Sequence, residues 1–319
     1  MTLVPEILTI YILDILFLFF GFIAFFLSIN IFLKWDITST SSLQYSLEKN
    51  SYLSATIIKY IFVVKIPLFI FFIFTLDKLS NIITGAMCGA GVVNATVYGT
   101  YLLMLKILNI YLFAFWLVLH NESIKYEIPK YIKLKFGFFI VTFLLLVVEI
   151  FTEFTMFNSI DPKSVVDCCG VIYSVNSQTF ISYFLELPHV VLLGIFYTLF
   201  FLMTTMFVMK KKYAYALLNV VFIIVAILSL ISFFGTYIYE LPTHHCPFCF
   251  LQKEYNYIGY LLYILLFCGT FFGTIIGLID FQKDITQKYF KISFYTNLVY
   301  VLVVSFYPLN YFLKNGVWL

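Results

Sequence analysis

Thiol chemistry is concentrated in one stretch of the chain, His244-His245-Cys246-Pro247-Phe248-Cys249. Two thiols separated by two residues can close a reversible disulfide, and the attacking species is the thiolate. Proline suits the first turn of a helix. The spacing therefore predicts Cys246 at a helix cap and Cys249 in the first turn, both at the positive end of the helix dipole. Lys253, four residues beyond Cys249, would stand on the same face, and His245 is a nearby candidate base. Three more cysteines are candidates for exchange with this pair: Cys88, within Gly85-Ala-Met-Cys-Gly-Ala-Gly91, and the adjacent Cys168-Cys169.

The same residue types could hold a soft metal. Thiolate, imidazole and thioether are the donors of zinc and Cu(I) sites, so His244, His245, Cys246, Cys249, Met87 and Cys88 form an alternative ligand set. A short repeat links three of the cysteines: Cys88, Asn94 and Tyr101; Cys169, Asn176 and Tyr183; Cys249, Asn256 and Tyr263. It suggests three related helical hairpins. A second group of candidates is ionisable: Asp14, Lys106, Glu149 and Glu153 all lie inside apolar runs. Charges there are costly and ordinarily face the bundle interior, paired or lining a path. Glu149 and Glu153 share one helix face, and Lys106 is expected to pair with Glu149 or Asp14. Such a cluster could relay protons, pass a cation, or fix packing as a buried ion pair.

The run Cys246-Pro-Phe-Cys249-Phe-Leu-Gln252-Lys253, followed by Tyr255 and Tyr257, resembles the motif of the DsbB family. Those membrane enzymes pass electrons from periplasmic thiols to quinone. The resemblance implies that Cys246 and Cys249 are the quinone-facing pair and that Gln252, Lys253 and Tyr257 contact quinone. Lys253 stands where the family carries arginine. The likeness covers about a dozen residues. The family usually has four helices and a second, separated cysteine pair, whereas Cys88 is isolated and Cys168 and Cys169 are adjacent.

The elements that must position these groups are membrane helices. The chain has 319 residues, 63% hydrophobic and 11% charged, where a soluble domain has about 25% charged. Eight apolar runs near the roughly 20 residues a bilayer requires predict an all-α, polytopic transmembrane bundle, one integral membrane domain over 1–319. The spans fall at approximately 8–33, 56–76, 97–119, 136–156, 188–209, 215–238, 257–279 and 292–312. Lysines crowd alternate connections, culminating in Lys210-Lys211-Lys212. The positive-inside rule then puts both termini outside, with the cysteine-bearing connections 77–96, 157–187 and 239–256 on the same outer face. Trp35, Trp116 and Trp318 are expected as interface anchors, and 37–55 as a separate amphipathic helix at the inner surface.

Every basic residue is lysine, which removes bidentate arginine clamps. The net charge of +3 serves membrane orientation and implies no nucleic acid. Residue usage points to an AT-rich bacterial genome and an inner membrane whose outer face is oxidising to thiols. The partners expected are the lipid bilayer and a periplasmic thiol protein or other membrane subunits. The leading expectation is a thiol/disulfide redox protein using an extracytoplasmic CxxC with quinone as electron sink. The alternatives are a transporter or metal handler with an outer Cys/His/Met site, and a structural subunit whose cysteines are staples.

Overall fold

A computed structural model describes residues 4–36, 39, 41–125, 131–161, 165–166 and 188–319. All regular structure among them is helical. Eight helices among the described residues are long and apolar enough to cross a membrane. They are α1 (Pro5–Lys34), α2 (Ser42–Ser80), α4 (Tyr98–Ile124), α5 (Ile132–Ser159), α6 (His189–Val208), the run Lys212–Tyr239, α9 (Ile258–Leu278) and α10 (Lys283–Asn315). Helix is the form that satisfies every backbone group within one segment, as hydrocarbon demands. The short α3 (Gly89–Asn94) precedes α4. The run Lys212–Tyr239 comprises α7 (Lys212–Ser229), a π-helical turn (Leu230–Phe234) and α8 (Gly235–Tyr239). Outward faces are apolar, with Phe19, Phe26, Leu217 and Leu302 exposed, a surface suited to lipid.

The helices gather into two compact units, Met1–Thr84 with Val92–Ser164, and Gly85–Gly91 with Val165–Leu319. Span length and charge alone do not reveal that division. In the first, α1, α2, α4 and α5 enclose an aromatic core. Phe62 stacks on Phe113 at 4.4 Å between centroids and meets Trp116 edge-on at 5.5 Å. In the second, α9 packs against α7 and α10.

Two expectations are corrected. Residues 42–55 are not a separate surface helix: they are the first turns of α2, started by Ser41, whose hydroxyl accepts from Gln44 N at 3.3 Å. Leu47 is buried there, whereas Leu43 and Leu53 face outward. Trp116 is not an interface anchor. It is fully buried, because its indole N–H finds the Lys135 carbonyl at 3.1 Å and no longer requires water.

Candidate functional site: a buried three-thiol cluster

Cys88, Cys246 and Cys249 meet in the second unit. Their sulfurs all lie within 4.8 Å of one another, and Cys88 Sγ is 3.5 Å from Cys246 Sγ. The three residues are only 0%, 1% and 6% exposed, which closes the cluster to a bulky thiol partner in this conformation.

The Cys88 side is set by a glycine turn. Gly85 adopts φ +90°, and a Cβ built there would stand 2.3 Å from the Val166 carbonyl oxygen, so only glycine fits. Gln252 then ties the two loops: its Nε2 donates to the Met87 carbonyl at 3.2 Å. The Cys246 side is organised by Tyr239, at the end of α8. Its hydroxyl donates to the Cys246 carbonyl and accepts from Phe250 N at 3.1 Å. Its ring stacks on Phe250 and meets His244 edge-on. Tyr263, one turn into α9, donates to the Pro247 carbonyl at 2.9 Å. Phe248 N donates to Cys246 Sγ at 3.4 Å. Phe248, Phe250 and Leu251, all buried, make the surroundings apolar.

The helix predicted to begin at Pro247 does not. Cys249–Leu251 and Lys253–Tyr255 are separate 3₁₀ turns, Asn256 and Tyr257 adopt left-handed backbone, and α9 starts only at Ile258. The chain must reverse direction before it can re-enter the bundle, and two tight turns do this where one cap would not. Cys246 and Cys249 therefore lack the dipole of a long helix, and Lys253 does not share a helical face with Cys249. Lys253 and Tyr257 are exposed on these turns.

Of the metal-ligand candidates, the cluster gathers Cys88, Cys246 and Cys249. Met87 is 69% exposed, and the nitrogens of His244 and His245 are outside the group. His245 is buried, with Nδ1–H donating to the Ile231 carbonyl of the π-helical turn at 3.1 Å. Burial pushes its pKa below the usual histidine value, so the ring is neutral. Cys168 and Cys169 lie outside the described residues. Of the repeated Asn–Tyr pairs, Tyr263 donates to the Pro247 carbonyl and Tyr101 is exposed, while Asn176 and Tyr183 lie outside the described residues.

The intramembrane charges form their own centre in the first unit. Lys106 Nζ contacts Glu149 at 2.9 Å and Glu153 at 2.7 Å. Asp14 pairs not with Lys106 but with Lys65, at 2.7 Å, and Lys65 also reaches Glu149 at 3.3 Å. Lys65 and Asn109, which donates to Glu149 at 2.6 Å, are absent from the sequence-based set. The signal for Lys65 was a lone ammonium midway along an apolar run.

No family model, curated protein or solved structure matches the chain.

Proposed function

We propose that this multi-pass membrane-helical protein is a thiol/disulfide redox protein working through Cys88, Cys246 and Cys249. The contact of Cys88 with Cys246 inside the buried thiol cluster carries the reading. Cys246 has a second thiol within reach on each side. A disulfide requires sulfurs about 2.05 Å apart, which Cys88 and Cys246 can reach by closing a small gap. Attack of the Cys249 thiolate on Cys246 in a Cys88–Cys246 disulfide forms the Cys246–Cys249 bond and releases Cys88 as the thiolate. Overall, a partner dithiol becomes a disulfide, and its two electrons and two protons pass through the cluster to a quinone, giving the quinol. Lys253 and Tyr257 present their polar groups on exposed turns beside the cluster and are the residues proposed to meet quinone. Gln252 acts instead by holding the Met87 turn in place. The lysine distribution supports an outward-facing cluster, residue usage supports a bacterial inner membrane, and Cys168 and Cys169 are the proposed thiols that meet a periplasmic thiol protein.

Charge separates this from the metal reading. Dithiol and disulfide are both neutral, so neither end state leaves an ion in an apolar pocket. Three thiolates around Zn²⁺ or Cu⁺ would leave net charge −1 or −2 where burial of charge is costly. What favours the metal is spacing alone, since zinc with sulfurs at about 2.3 Å sets them roughly 3.8 Å apart. Mass-tag trapping of thiols in membranes decides. The redox reading predicts that two of the three thiols vanish on adding quinone and return on adding a dithiol. Constant labelling together with stoichiometric bound metal would overturn it.

A further inference from the structure

Five ionisable side chains meet in the first unit, each no more than 5% exposed: Asp14, Lys65, Lys106, Glu149 and Glu153. They form an alternating chain, Asp14–Lys65–Glu149–Lys106–Glu153, in which each lysine bridges two carboxyls. Three carboxyls face two ammonium groups, so full ionisation would leave a net charge of −1 among apolar helices. An uncompensated buried charge is the costliest arrangement available there.

The carboxyls are not equally satisfied. Glu149, in the middle, receives Lys65, Lys106 and Asn109 and uses both oxygens. Among the described residues, Glu153, at one end, receives Lys106 alone on Oε2, and its buried Oε1 has no hydrogen-bond partner. Asp14, at the other end, has its Oδ1 2.7 Å from Lys65, and among the described residues neither of its buried oxygens has a hydrogen-bond partner. Tyr11 lies one turn before Asp14 on α1, and its ring packs on Phe154 and Phe157 of α5, in the turn that follows Glu153. Its hydroxyl is also buried without a partner and feels the charges of both Glu153 and Asp14. The groups facing Glu153 are thus Tyr11 and Asp14 from α1, Lys65 from α2, Lys106 from α4 and Glu149 from α5. Both cations are already engaged by the central carboxylate. Phe72 takes a further share of Lys106, with Nζ 4.5 Å from its ring centroid.

We infer that the Glu153 end of this chain is a proton-binding site. The resting cluster holds one dissociable proton on the Glu153 carboxyl, which makes the assembly neutral, and the Tyr11 hydroxyl is among the groups that face it. Loss of that proton to water leaves the anion beside Lys106, so the site can load and unload without a lysine moving. A crevice lined by Lys65, Phe69, Lys106, Phe113 and Glu149 runs beside the middle of the chain.

Infrared difference spectroscopy of the full-length protein in lipid nanodiscs tests this. The wild type should show one protonated-carboxyl C=O band at neutral pH, unchanged by exchanging Na⁺ for K⁺ and lost on alkalinisation. Glu153→Gln should remove the band, and Glu153→Asp should retain it at a shifted frequency. Asp14→Asn should also remove it, because two carboxylates would then balance two lysines. Absence of the band in the wild type, its survival in Glu153→Gln, or its appearance only after Na⁺ is withdrawn would each overturn the inference. The wild-type spectrum needs no variant to fold.

Discussion

The Tyr239 hydroxyl satisfies two buried backbone groups at once, the Cys246 carbonyl and the Phe250 N–H. Tyr239→Phe leaves both without that partner, and an unsatisfied buried donor costs about 1–3 kcal/mol. We expect a lower thermal midpoint and faster maleimide labelling of Cys246 and Cys249. Unchanged labelling would show that Tyr239 does not hold the thiol loop. His245 gives a pH signature. Its folded pKa is depressed below 6.5 by burial, so the unfolded chain takes up the proton more readily. The contribution to stability is full above the unfolded value and is lost as pH falls below it. His245→Gln should flatten the thermal-midpoint profile on the acid side of 6.5. At this scale the sequence offered Cys88 as a partner of Cys246 and Cys249, and the structure brings the three sulfurs together, but spacing alone did not say which pair would touch. It also passed over Lys65, whose four-carbon stem is apolar and whose partners lie on α1 and α5, far away in the chain.

Among the elements, the eight helices were legible because a hydrocarbon core selects for length and apolarity, which composition records directly. The thiol loop was not. Pro247 reads as the first turn of a helix, yet the chain spends Cys249–Leu251 and Lys253–Tyr255 in 3₁₀ turns and enters α9 through two left-handed residues. Those turns rest on the start of α9 at Gly259, where a Cβ would stand 2.4 Å from Phe250 Cδ2 and 2.8 Å from Leu251 Cδ2. Gly259→Ala forces the turn off the helix and should cost about 1–3 kcal/mol as overpacking. A wild-type melting profile and thiol reactivity in that variant would show that the loop has slack. The π-helical turn at Leu230–Phe234 carries no sequence signal of its own, yet it supplies the carbonyl that fixes His245.

For the molecule as a whole, the charge chain lies in the first unit and the thiol cluster in the second. Lys106→Met leaves Glu149 with Lys65 and Glu153 with no ammonium in contact, and removing one partner of a buried ion pair costs about 3–5 kcal/mol. Thermal unfolding in detergent should show a large loss; a midpoint equal to wild type would mean that the charges are not desolvated as drawn. The lysine-rich connections carry a second whole-chain expectation, both termini outside. A reporter fused after Leu319 that is active only outside the cytoplasm should be active. If it is active only when fused beside Lys210–Lys212, the orientation is reversed and the thiol cluster faces inward.

The most direct test is to oxidise the purified protein and map its disulfides by mass spectrometry. The account predicts that Cys246 is linked to Cys88 or Cys249, and that Cys249→Ala yields Cys88–Cys246 in high proportion. A Cys246 that stays reduced under oxidant, or bonds to neither of these residues, would contradict it.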